Sequence, residues 1–152
     1  MKKGNKAAGR AFERLFAEYL TGAGFWAHIF QDNKNGQPCD VIAAKDGQAY
    51  LFDCKNCGKG SFRLDRMEEN QLNAMELFRL TGNTGGMFAV RFPEGEIYLA
   101  DYRVLRELKD QGVKSLGKPE MRGYARSLED WLLEKEGNDE MEGRGHARHD
   151  WR

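Results

Sequence analysis

Two aspartates and a lysine carry the chemical signal of this chain. Asp40 to Lys45 and Gln48 to Lys55 read as strands joined by Asp46-Gly47, a strong signal for a two-residue hairpin loop. If that dipeptide is the loop, Lys45 faces Gln48 and, counting outward, Asp40 faces Asp53. Directly opposed residues of an antiparallel pair hold their Cβ atoms about 5 Å apart on one face. A four-residue loop from Lys45 to Gln48 leaves the pairing unchanged. Lys55, two residues past Asp53, points to the same face, and Phe52 and Cys54 point to the other.

Opposed carboxylates repel, so a strand pair shaped for stability alone avoids them. A divalent cation between them makes the arrangement sensible. Mg²⁺ takes one or two carboxylates and completes its shell with waters and substrate phosphate. Such an ion activates a water and offsets the charge that builds on a phosphate during displacement. Lys55, a compact cation, would hold the attacking water or the scissile phosphate. The plainer alternative is an exposed sheet edge where water screens the pair. Against it, Val41-Ile42-Ala43-Ala44 and Tyr50-Leu51-Phe52 read as central strands covered on both faces.

The elements that must position this pair follow from periodicity. Residues 8–22 read as a helix, with Phe12, Leu15, Phe16, Tyr19 and Leu20 at helical spacing and Gly22 and Gly24 ending it. Glu13 falls inside that apolar stripe, where a carboxylate needs a partner. The Asp40/Asp53 cation is one candidate, and Arg10 or Arg14 on the same helix is the other. Phe25 to Phe30 reads as a strand, and a second helix runs from about Arg66 to Leu80. Gln71 on that helix lies on its apolar side, a position compatible with bonding core backbone or reaching the site; periodicity alone favours the structural role. Met87 to Phe92 and Glu96 to Ala100 form another strand pair. Asp101 caps a third helix to about Asp110, and Ser127 opens a last one through about Lys135. The order is that of a small α/β domain around a mixed sheet.

With 152 residues, the chain has room for one domain. Its boundaries are expected at 1–136, with a basic arm over 1–7 and a disordered polar tail over 137–152. The chain is 40% hydrophobic and 32% charged, which excludes a disordered chain. No apolar run approaches the ~18 residues of a membrane span, and no apolar stretch follows the basic N-terminus as in a secretory signal. Three cysteines, an odd number, suit a reducing cytoplasm. Net charge is zero, yet the first fifteen residues carry five bases against one acid. That stretch is either a solvated terminus or an arm for a phosphate backbone. Cys54-Lys55-Asn56-Cys57, with Cys39 and His28, makes a zinc site on paper. The alternation that turns Cys54 away from Asp53 instead makes it a small apolar side chain.

Pro38-Cys39-Asp40 followed by Asp53-Cys54-Lys55 resembles the motif of the PD-(D/E)XK nuclease superfamily. Gly9-Arg10-Ala11-Phe12-Glu13 is similar to the first-helix motif of its Holliday junction resolvase branches, the archaeal resolvases and the bacterial RecU-type enzymes with their phage relatives. Gln71 in Glu69-Asn70-Gln71-Leu72 falls where the RecU-type pattern has a glutamine, and Gly85-Gly86 before an apolar strand is similar too. The resemblance covers residues 4–100. It departs from the family at Cys39, inserted between proline and aspartate, and at Asp53, where glutamate is commoner.

The resemblance implies a restriction-endonuclease-like α/β core, a mixed central sheet flanked by helices in the order α-β-β-β-α-β. It also implies dependence on Mg²⁺, replaceable by Mn²⁺, and hydrolysis of DNA phosphodiesters by a homodimer acting on four-way junctions. Glu13, Asp40 and Asp53 would then be metal ligands, Lys55 the catalytic lysine and Gln71 a supporting active-site residue. Lys2, Lys3, Lys6 and Arg10 before the site, and Lys59, Arg63 and Arg66 beyond it, are the candidate DNA contacts. The alternatives are a repair or restriction-type nuclease cutting flaps, ends or duplex, and a non-catalytic DNA-binding module.

Overall fold

The computed structural model describes residues 2–31, 36–83 and 85–143, with side chains for 6–31, 36–83 and 85–136. Helix α1 (Lys2–Gly22) is followed by strands β1 (Trp26–Ile29), β2 (Val41–Lys45) and β3 (Gln48–Asn56). A short strand β4 (Ser61–Arg63) and a single 3-10 turn (Leu64–Arg66) lead into α2 (Glu69–Arg79). Strands β5 (Met87–Arg91) and β6 (Ile97–Asp101) come next, then α3 (Tyr102–Asp110). The chain ends with β7 (Ser115–Gly117), α4 (Lys118–Tyr124), β8 (Arg126–Ser127) and α5 (Leu128–Gly143).

Six strands form the main sheet in the order β1-β2-β3-β5-β6-β8, and β4 pairs with β7 in a separate ribbon. The sheet is mixed because β3 and β5 run parallel while the other pairs are antiparallel. A parallel pair needs a long crossover, and here it carries β4, the 3-10 turn and α2. The β2–β3 turn is as tight as its sequence implies. Asp46 and Gly47 both have positive φ, 52° and 78°, which is the twist a two-residue hairpin loop requires. Lys45 faces Gln48 and Val41 faces Phe52 as counted; Asp40 lies just beyond this ladder, its N–H donating to Phe52 O at 3.0 Å.

Alternation along the strands builds two cores. On one face Phe12, Phe16 and Leu20 of α1 and Trp131 of α5 pack on Val41, Ala43, Tyr50, Phe52, Ala89 and Leu99. On the other, Leu72 and Met75 of α2 and Leu105 of α3 pack with Phe62 and Leu116 of the ribbon on Phe88, Val90 and Ala100. The predicted caps form: Asp101 accepts from the Arg103 N–H at 2.8 Å, and Ser127 Oγ from the Asp130 N–H at 3.1 Å.

Two expectations at the termini are corrected. The basic stretch 1–7 is not a separate arm, because α1 already begins at Lys2. Lysine and alanine are strong helix formers, and nothing in Lys6-Ala7-Ala8 breaks the helix. The polar tail does not begin at Gly137, because α5 continues to Gly143. One interior glycine costs a helix only about 1 kcal/mol, and the acidic residues around it are adequate formers. Residues 144–152 of the expected tail lie outside the described residues. Among the described residues no helix is long and apolar enough to cross a membrane.

Gly86 sets how closely α2 approaches the sheet. A Cβ placed there would meet Met75 Cγ at 2.1 Å, one helical turn from Gln71. Gly86→Ala is therefore expected to lower the unfolding free energy by about 1–3 kcal/mol, the usual cost of overpacking. Urea titration checks this, and an unchanged midpoint would show that α2 slides freely.

Candidate active site

The site begins where the β2–β3 ladder ends. The Asp40 N–H donates to Phe52 O at 3.0 Å, and the Asp40 carbonyl accepts from the Phe30 N–H at 2.9 Å. The next N–H on β3, that of Cys54, finds no backbone acceptor and donates instead to Asp40 Oδ2 at 2.7 Å. Gln37 Nε2 donates to Asp40 Oδ1 at 3.0 Å. Each Asp40 oxygen thus takes one hydrogen bond, and a carboxylate with about four lone-pair sites keeps room for a cation.

Asp53 is sealed, at 1% exposure. Its Oδ1 accepts from Gln71 Nε2 at 3.0 Å. Its Oδ2 lies 2.9 Å from Lys55 Nζ, yet it takes no hydrogen bond. Burial first, then the charge of Asp40, pushes the Asp53 carboxyl up to about 8, with Lys55 opposing the rise. A buried carboxylate with a neighbour of like charge resists ionisation, and Lys55 compensates it only in part. The Lys55 side chain is 12% exposed and reaches solvent beside the pair.

Gln71 resolves the two sequence readings by doing both jobs. Its Oε1 accepts from the Glu68 N–H at 3.1 Å in a capping box that starts α2, while its Nε2 holds Asp53. The parallel crossover passes over the Asp53 face of β3, so the first turn of α2 arrives there.

Asp40, Asp53, Lys55 and Gln71 are thereby brought together. Glu13 is half-buried on α1, where it lines a concavity with Arg10, Arg14, Ile29, Phe30 and Gln31. Helix α1 packs on the Phe52 face, and periodicity along a helix does not say which face of a sheet it covers. The charge of Glu13 still reaches the site region, adding to the rise of the Cys54 thiol. Among the described residues no three acidic, histidine or cysteine side chains gather as a metal cluster.

The cysteines are core residues in the described structure. Cys54 packs with the α1 side, and burial is the main cause of the raised values of all three thiols, with Cys39 pushed up to about 12. Thiols held protonated are poor metal ligands.

The candidate DNA contacts sort by what already holds them. Lys6, Arg10 and Lys59 are exposed, and the side chains of Lys2 and Lys3 lie outside the described ones. Arg63 pairs with Asp65. Arg66 donates to Asn56 O at 2.7 Å and stacks over Phe62. Asn56 in turn donates to Ala8 O at 3.2 Å. The end of β3 is thus tied to the N-terminal half of α1 on one side and to the β4–β7 ribbon on the other. Pattern-reading missed Asn56, whose contact exists only once the distant backbone of Ala8 comes within reach, and Gln37, whose amide bonds the carboxylate three residues on. It also missed Lys109 and Lys114, which line a concavity of about 480 Å³ with Arg63.

A family model described as archaeal Holliday junction resolvase (Hjc) matches residues 4–132. Among solved structures, the chain is similar to Hjc of Archaeoglobus fulgidus, a Holliday junction resolvase from an archaeal hyperthermophile. The two are 16% identical with a TM-score of 0.64, over 82% of this chain and 99% of that one. At that identity the likeness concerns the fold, and it agrees with the mixed sheet flanked by helices. A search of curated protein sequences gave no match.

The raised Asp53 value has a thermodynamic consequence. A carboxyl whose value rises on folding lends stability in acid and withdraws it as pH climbs from its ordinary 3.8 towards about 8. In EDTA, the Tm of the parent should therefore fall relative to that of Asp53→Asn between about pH 5 and about pH 8. Calorimetry across that range checks it. A difference that stays constant with pH would mean that Asp53 is ionised at an ordinary value.

Proposed function

Since the chain belongs to the archaeal Holliday junction resolvase family, we propose that it is an endonuclease that hydrolyses phosphodiesters of four-way DNA junctions at the Asp40/Asp53/Lys55 site. The observation that carries this reading is the sealed Asp53 carboxylate, whose Oδ2 meets Lys55 at 2.9 Å but takes no hydrogen bond, set close enough to Asp40 for that second carboxylate to raise its value. An oxygen in that state suits a hard divalent cation, Mg²⁺ with Mn²⁺ as a substitute. Asp40 and Asp53 would hold the ion, which when bound would polarise the scissile phosphate and acidify the attacking water.

The remaining work falls to side chains of the chain itself. Gln71 fixes the orientation of Asp53, and the Cys54 N–H and Gln37 fix that of Asp40. Two carboxylates held from both sides need little reorganisation when a phosphate arrives, which is where pre-organised electrostatics gains its effect. Lys55, the cation nearest Asp53 and open to solvent, would place its ammonium against the phosphate or orient the water beside it. Glu13 is retained as a further acid for the ion. It lines the concavity that includes Phe30, whose N–H bonds the Asp40 carbonyl, so it sits at the same end of the sheet.

The binding surface follows from the tie at Asn56. Lys2, Lys3, Lys6 and Arg10 on one side, and Lys59, Arg63 and Arg66 on the other, would contact phosphates, with Lys109 and Lys114 extending the second group. Two basic flanks around one cutting site suit a substrate whose duplex arms diverge. A homodimer would set two such sites against the two strands that must be cut. The three free thiols fit work in a reducing cytoplasm.

The test is cleavage of matched four-way-junction, flap and linear-duplex DNAs with Mg²⁺, Mn²⁺ or EDTA. Paired symmetric nicks on the junction alone are expected, abolished by EDTA. Asp53→Ala and Lys55→Ala should each reduce them at least about 10²-fold, the scale for losing one pre-organised electrostatic group. Equal cutting of all three substrates would discard junction selectivity, and binding without cutting would discard the enzyme.

A further inference from the structure

Among the described residues, only two buried side-chain oxygen or nitrogen atoms lack a hydrogen bond, and both belong to one place. One is Asp53 Oδ2. The other is Oε1 of Gln37, whose Nε2 donates to Asp40 Oδ1 at 3.0 Å. The orientation of this amide is chemically determined: turned over, it would set its carbonyl oxygen against a carboxylate oxygen. The two ends of an amide are separated by little more than two bond lengths. Oε1 therefore lies within about 5 Å of Asp40 Oδ1 by covalent geometry alone.

The local chain holds Gln37 there. Pro38 confines the residue before it to extended backbone, and the buried Cys39 anchors the next position, its Sγ 3.7 Å from Val41 O. A half-buried glutamine on so constrained a segment has few other rotamers to choose. A buried carbonyl without a donor is costly, and it is tolerated where a ligand brings one. Mg²⁺ and Mn²⁺ bound by two carboxylates keep several waters, each with two O–H donors.

We propose that Gln37 is a positioning residue of the cation site: its Nε2 steers Asp40, and its Oε1 accepts a hydrogen bond from a water of the cation's hydration shell. This rests on the reading of Asp40 and Asp53 as ion ligands and adds to it a residue three positions upstream. The two ends of the amide have separate parts: the donor sets the metal-free geometry of Asp40, and the acceptor toward the water carries the effect on ion affinity. Groups that orient ligands and waters in this way commonly contribute ten- to hundredfold in metal affinity.

The test is Mn²⁺ binding to DNA-free protein, read by the loss of the free-ion electron paramagnetic resonance signal and by the Mn²⁺-dependent rise in Tm. Gln37→Met, which keeps length and loses both ends, should weaken Mn²⁺ affinity about tenfold or more. Gln37→Glu, which keeps an oxygen toward the ion, should hold affinity within about threefold while lowering the metal-free Tm through repulsion of Asp40. Asp53→Ala serves as the reference for loss of the site. If Asp53→Ala abolishes binding while Gln37→Met binds like the parent, the inference falls and the metal site stands. If the parent itself binds no Mn²⁺, or Asp53→Ala leaves binding unchanged, the metal site and the inference fall together. Should Gln37→Met not fold, a large loss of affinity in Gln37→Glu overturns the role assigned to Oε1.

Discussion

Two carboxylates are forced to face each other, and one of them is denied water. Everything near the site follows from that constraint. Hydrogen bonds between Asp40 and both Phe52 and Cys54, on either side of Asp53, hold Asp40 beside it, and the α2 crossover closes over Asp53. The cost shows in the raised value of the buried carboxyl, whose first cause is burial and whose second is Asp40. Such a pair is a poor choice for stability and a good one for holding a doubly charged ion against a phosphate. The fold keeps it because hydrogen bonds come from three directions: the Cys54 N–H, the Gln37 amide and the Gln71 amide.

The sheet topology turns a local pair into a site. Only a parallel β3–β5 connection long enough to cross a face can deliver a helix over Asp53. The same connection carries β4 and the 3-10 turn, and with them Lys59, Arg63 and Arg66 of the second basic flank. Gly86 leaves room for the Met75 side chain of α2 against the sheet, so the capping glutamine of that helix also reaches Asp53. Stability and function share this contact. The first turn of α2 is completed by the same side chain that orients Asp53.

What was legible in the sequence, and what was not, divides by range. The Asp46-Gly47 loop fixes its own geometry, so the ladder from Lys45 and Gln48 out to Val41 and Phe52 could be read by counting. The face of Cys54 followed by alternation. The caps at Asp101 and Ser127 were likewise local. The ribbon was invisible because Ser61 pairs with Gly117, far along the chain, and three-residue strands carry no period of their own. Helical periodicity put Glu13 on an inward face, where it is half-buried, and carried no information on the side of the sheet that α1 covers. Gln71 was placed by periodicity on the apolar side, and its second role came into view only through the family resemblance. Gln37 carried no pattern at all, because a single glutamine outside any strand or helix has no period to read, although its partner Asp40 is only three residues on.

The most direct test of the account is anomalous diffraction from crystals of the parent protein soaked in Mn²⁺. The account predicts one strong peak shared by carboxylate oxygens of Asp40 and Asp53, with Mn–O distances of roughly 2.0–2.3 Å, as hard oxygen donors give. A site without a peak, its two carboxylates joined by a shared proton instead, would contradict it.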